Sequence, residues 1–121
     1  MTSNDEAGML KALADPTRLR LAVLLAHQEL CVCEIQALFG LPQSTVSRHM
    51  TNLKLSGVAR DRREGRWVHY DLNGDHPVVA RLQPFFELLS QGQPYQDDLA
   101  RCWEMVAQGR CNVPSSPIQI K

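Results

Sequence analysis

The chain has 121 residues, room for one small domain with a single core. Hydrophobic residues make up 44% of it, an ordinary soluble value, and no apolar run approaches the ~20 residues that a helical membrane span needs. The formal net charge is zero, which by itself points to no polyanionic partner.

The start, MTSNDEAGML, is acidic and polar. It lacks the basic and apolar regions of a signal peptide, so the expected compartment is the cytoplasm, where thiols stay reduced. In MLKALADPTRLRLAVLLAHQE one helix breaks and another starts, with Asp15 as N-cap and Pro16 at the first helical position. Leu19, Val23 and Ala26, with Leu21, Leu24 and Leu25, give that helix a broad apolar face. CVCEIQALFG reads as a short helix ending near Gly40, with Val32, Ile35 and Phe39 at helical spacing. On a regular helix Cys31 and Cys33 would point about 200° apart. LPQSTVSRHMTNLKLSG predicts a further helix whose inner stripe is Val46, Met50 and Leu53, with Gly57 past its end.

The period then changes. VARDRR and RWVHYDL are extended runs on either side of Glu64-Gly65, which marks a β-hairpin. DHPVVARLQPFFELLSQ is apolar and helical, with Pro84 expected to kink or divide it. PYQDDLARCWEMVAQG predicts a last helix carrying Leu99, Cys102, Trp103 and Val106 on one side. RCNVPSSPIQIK is polar and proline-containing and reads as a loose tail.

Charge is not spread evenly along this order. Between Gln43 and Tyr70, Arg48, Lys54, Arg60, Arg62, Arg63 and Arg66 stand against Asp61 and Glu64, a local excess of four positive charges. Such a stripe is the electrostatic footprint of a nucleic-acid binder. Helix, short turn, helix and basic hairpin is also the layout of a winged helix-turn-helix, a mainly α fold with a small β-hairpin. Its second helix fits the major groove and presents its first turns to base edges. Gln43, Ser44, Thr45, Ser47, Arg48 and His49 cluster there, while Arg62, Arg63 and Arg66 surround the hairpin tip and suit phosphate or minor-groove contact.

The stretches LADPTRLRLAVLLAHQELCVCEI, STVSRHMTNLKLSGV and RREGRWVHYDLN resemble the ArsR/SmtB family of metal-sensing repressors. Within it, ELCVCE looks like the arsenical-resistance operon repressors. The resemblance covers residues 9 to 73 well and the later helices loosely. It implies a homodimeric winged-helix repressor spanning 1–108, with N- and C-terminal dimerisation helices and a flexible tail at 109–121. Such a protein binds a palindromic double-stranded operator and releases it when As(III) or Sb(III) binds cysteine thiolates. No cofactor is required, and no membrane is involved. Two positions depart from the family pattern. Gln36 stands where a third cysteine often follows the CVC pair, and Pro42 stands where serine often caps the reading helix.

Trivalent arsenic is soft and prefers thiolates, which makes Cys31 and Cys33 the expected ligands. On a regular helix the pair could close on one ion only if the helix start unwound, which would shift the reading helix. Cys111 and Cys102 are the candidate third ligands, although Cys102 also reads as core. The alternative is a redox- or other-metal-responsive regulator of the same fold. A zinc centre is poorly supported: His27, His49, His69 and His76 are scattered, and no CxxC…CxxC set is present. An enzyme is not expected, because the chain has no phosphate-binding glycine loop, no nucleophile–base pair and no CxxC.

Overall fold

The structure is a computed structural model that describes residues 6–109. Six helices and three strands follow in the order α1 (Glu6–Leu13), α2 (Pro16–Leu25), β1 (Leu30–Cys31), α3 (Val32–Phe39), α4 (Gln43–Leu55), β2 (Ala59–Glu64), β3 (Trp67–Leu72), α5 (Pro77–Leu89) and α6 (Tyr95–Ala107). From residue 110 onward the expected tail, Cys111 included, lies outside the described residues.

Local chemistry sets most boundaries. Asp15 caps α2 by accepting the Arg18 backbone N–H at 3.0 Å, and Pro16 follows at the first helical position. That hydrogen bond holds the Asp15 carboxyl below its ordinary value. Gly40 ends α3 at φ 64°, a left-handed conformation that glycine adopts without a Cβ clash. Pro42 precedes α4 with no side-chain cap, so the turn between α3 and α4 depends on the Pro42 carbonyl, which accepts from Thr45 and Val46 at 3.1 Å.

Val46, Met50 and Leu53 are fully buried, as the α4 stripe predicts. They join Met9, Leu21, Leu24, Ile35, Val58, Val79 and Phe86 in one core on which all six helices and the sheet base converge. A second, polar anchor ties α6 to the body. Asp98 is 2% exposed and accepts from Arg20 Nε at 2.8 Å, Arg20 Nη2 at 2.7 Å and Arg101 Nη2 at 2.7 Å. The Arg20 guanidinium also lies 4.7 Å over the Phe39 ring of α3.

Three sequence expectations change. The stretch read as the start of a helix begins as a strand: Cys31 has φ −93° and ψ 167°, and β1 pairs with β3. Pro84 does not divide its helix. It sits inside a continuous α5 on the exposed side, where the carbonyl deprived of a partner can face water. Trp103 is 45% exposed rather than on the inner side of α6, because the Asp98–Arg20 clamp rotates Asp98, Leu99 and Cys102 inward.

The sheet order is β1-β3-β2, all antiparallel. Directly opposed residues share a face. Cys31, His69 and Arg62 therefore form one row on the sheet face opposite Leu30 and Tyr70, which pack on the core; Arg62 is exposed, whereas Cys31 is buried. The hairpin turns at Gly65-Arg66, where Gly65 takes φ 61°.

Candidate nucleic-acid interface and thiol cleft

The first turns of α4 divide by exposure. Gln43, Ser44 and Arg48 are exposed, whereas Thr45 and Ser47 are half-buried. His49 turns toward the start of α2, where its Nδ1 lies 3.4 Å from Arg18 Nη1. Arg18 is itself fixed by donating to the Ala12 carbonyl at 2.7 Å. Burial pushes the His49 imidazole below its ordinary value, with Arg18 and Arg48 adding to the fall against the pull of Asp15. His49 is thus a joint between helices, and Gln43, Ser44 and Arg48 form the outward edge.

The basic stripe is partly neutralised by its own neighbours. Arg62 grips Glu29 through Nη2 at 2.8 Å and Nε at 3.2 Å, and reaches Glu64 at 3.4 Å. Those carboxylates raise its already high pKa, Glu29 most. Arg60 holds Asp71 and Asp75, each at 3.1 Å, and Lys54 holds Asp61 at 2.9 Å. Among the described residues, Arg48, Arg63 and Arg66 have no carboxylate within ion-pair distance. Exposed pairs of this kind contribute about 0–1 kcal/mol, so an approaching phosphate can exchange for the carboxylate.

The cysteines meet at the junction of these two surfaces. Cys31 is the last residue of β1 and the N-cap of α3, with Cys33 in the first turn. Glu34, at the third helical position, is 2% exposed. It accepts the Cys31 N–H at 2.9 Å and completes a capping box, a spacing legible in the sequence and overlooked there. Since Cys31 is extended, the helical rule that sends the two side chains apart does not apply. Both line one cleft of about 310 Å³ with Gln36, with Gln43 of α4, and with Arg66, Trp67 and Val68 of the wing.

Cys33 stands in a disulfide, while Cys31 and Cys102 do not. Cys102 is fully buried in the core of α6, away from the cleft lining. Among the described residues, no three His, Cys, Asp or Glu side chains are placed to hold one metal ion. Among the described residues, the cleft is lined by two sulfurs, those of Cys31 and Cys33, with the amide of Gln36 beside them.

Burial pushes the Cys31 thiol up to about 11. The Glu34 carboxylate adds to the rise, while the Glu34 backbone N–H opposes it. The folded state keeps this proton at pH values where the unfolded chain has lost it. Stability from this group is complete below the ordinary thiol value near 8.5 and is lost as pH climbs toward 11. Urea unfolding followed across that window should show a steeper loss of stability in the wild type than in Cys31→Ser. Equal slopes would mean that the thiol titrates alike in both states.

Comparison with known proteins places these features in context. Residues 15–61 match the model of the bacterial regulatory proteins of the arsR family. The arsenic resistance transcriptional regulator ArsR2 of Pseudomonas putida is 43% identical over 86 residues, which cover 69% of this chain and 75% of that protein. The arsenical resistance operon repressor of Escherichia coli is 42% identical over 73 residues, 60% of this chain and 62% of that one. ArsR1 of Pseudomonas putida is 45% identical over 74 residues, so the chain spans 56% of its length. Among solved structures, the homodimeric winged helix-turn-helix DNA-binding domain of a possible ArsR-family regulator from Mycobacterium bovis has a TM-score of 0.61. It is 33% identical, covering 73% of this chain and 80% of its own. HlyU from Vibrio cholerae, also 33% identical, has a TM-score of 0.59 and covers 68% and 84%.

Proposed function

The chain belongs to the arsR family of bacterial regulatory proteins, and on that premise we propose that it is a metalloid-responsive transcriptional repressor. It binds double-stranded operator DNA as a homodimer and releases it when As(III) or Sb(III) takes Cys31 and Cys33. The observation that carries this reading is the single cleft in which both cysteines share walls with Gln43 of α4 and Arg66 and Trp67 of the wing.

In this reading α4 enters the major groove with Gln43, Ser44 and Arg48 at the base edges, where Gln suits adenine and Arg suits guanine. Arg63 and Arg66 meet phosphate, joined by Arg62 once it leaves Glu29. The second copy docks on a mainly apolar surface groove lined by Leu10 of α1 and by Pro77, Val78, Arg81 and Leu82 of α5. Leu10 is 55% exposed in the single chain, and Leu88 of α5 is 64% exposed. Such a face gains from being covered.

The inducer chemistry needs no oxidant. For each sulfur, an As–O bond of arsenous acid breaks and an As–S bond forms, and the thiol proton leaves with the hydroxide as water. The protonated state of Cys31 is therefore no obstacle, but the Cys33 disulfide must first be opened by a dithiol reductant, which gives up two electrons and two protons and becomes a disulfide itself. Two sulfurs leave one arsenic position for hydroxide or a further thiol. The disulfide at Cys33 supports a second reading, in which oxidation of this cysteine is itself the signal.

The test is fluorescence anisotropy with a duplex selected in vitro from random sequences, using reduced protein. Arsenite or antimonite should raise the operator Kd by about 5–150-fold, the span of ordinary allosteric coupling. Zinc should leave it unchanged. Release by diamide alone would replace the metalloid reading with the redox one. Failure to enrich any duplex would remove the DNA reading itself.

A further inference from the structure

On the reading that Cys31 and Cys33 take the inducer, we propose that the wing, rather than the reading helix, is the element that the inducer moves. Cys31 belongs to the sheet as much as to the helix it caps. Its strand β1 is two residues long, and among the described residues its ladder partners are Tyr70 and His69 of β3. Cys31 lies directly opposite His69, which in turn lies opposite Arg62 of β2. Glu29, two residues before Cys31, bridges to Arg62 over that row. A change at Cys31 therefore meets both strands of the wing within one row of residues.

The two joints that Cys31 could disturb differ in strength. Toward α4, the connection runs through fully buried Ile35, Val46 and Met50, a packed core with no polar atom to exchange with water. Toward the wing, the row that Cys31 itself occupies is held by its ladder pair with His69 and the exposed Glu29–Arg62 bridge, while the neighbouring Leu30–Tyr70 pair packs on the core. His69 sits in that row with Nε2 buried and without a hydrogen bond, the nearest carboxylate oxygen being that of Glu64 at 3.4 Å in poor geometry. The Cys31 side chain is 2% exposed, so seating a ligand shared with Cys33 requires the extended backbone at Cys31 to rotate. Rotation there breaks the weaker joint first. Three of the cleft's wall residues, Arg66, Trp67 and Val68, are on the wing side, and one, Gln43, is on α4.

A thermodynamic cycle on operator binding separates the two elements. Arg63→Ala/Arg66→Ala and Arg48→Ala are measured with and without saturating arsenite at several salt concentrations. Without arsenite, the wing double variant should bind several-fold more weakly, with a salt slope smaller by about 2. Arg48→Ala should bind about 5–150-fold more weakly. With arsenite, the wing penalty should vanish, and the wild type should already show the reduced slope, while the Arg48 penalty persists. An Arg48 penalty that vanishes while the wing penalty persists would overturn the proposal. So would the loss of both, or of neither. If the wild type is not released by arsenite at all, the inducer reading fails, and that outcome is visible before any variant is compared.

Discussion

Cys31→Ser is expected to abolish arsenite-driven operator release while leaving the metal-free protein at least as stable as the wild type. The two effects have separate origins. Release needs a sulfur, and a hydroxyl does not hold soft trivalent arsenic, so a release factor of about 5–150 should fall close to 1. Stability depends on the N-cap, where serine is among the best residues, worth about 1 kcal/mol over a side chain that cannot cap. Cys31 already takes part in the capping box with Glu34, so the gain is a fraction of that figure. Cys33→Ser is the matched control. It should lose release equally, without any gain in the cap, since Cys33 lies inside the first turn. Anisotropy titration and thermal unfolding on the same samples check both halves. Release that survives both serine variants would move the inducer site elsewhere.

Arg20→Ala should cost about 2–3 kcal/mol, or roughly 10 °C in Tm, measured at one fixed protein concentration. It leaves the Asp98 carboxylate almost fully buried with Arg101 as its remaining cation, and it removes the stack over Phe39. The figure lies below the full cost of breaking a buried pair because the Arg20 side chain is itself 30% exposed and Arg101 stays. Asp98→Asn should cost less, since the two arginines it leaves behind already reach solvent. Arg20→Lys should recover little, because an ammonium cannot supply the two parallel N–H bonds seen from Nε and Nη2. A Tm for Arg20→Ala within 2 °C of wild type would make the clamp an ornament of the surface.

The elements governed by local rules were legible before any coordinates. The 3.6-residue spacing of Val46, Met50 and Leu53, the Asp15-Pro16 start and the Glu64-Gly65 hairpin all act within a few residues, and each is present in the fold. What escaped depends on distant partners. A two-residue strand has no period to read, and β1 exists only because β3, about forty residues later, offers a ladder. The inward turn of Asp98 is set by Arg20, 78 positions away. The stripe of arginines was visible as charge, but its pairing was not. Glu29, outside the counted stretch, takes up Arg62, so the cation count overstated what is open to a polyanion. The same limit applies to the cysteines, whose relation follows from an extended N-cap that no helical wheel could supply.

The cleft with walls from both the reading helix and the wing also bears on dose. Ligands that favour opposite arrangements of the same walls must weaken each other by equal factors. On the proposed function, a molecule bound to its operator would thus be a poorer metalloid trap than one free of DNA. Unoccupied copies would soak up the first traces of poison and hold the genes shut until that reserve is spent. Abundance of the protein relative to its target sequences, and not thiol affinity alone, would then set the concentration at which resistance switches on.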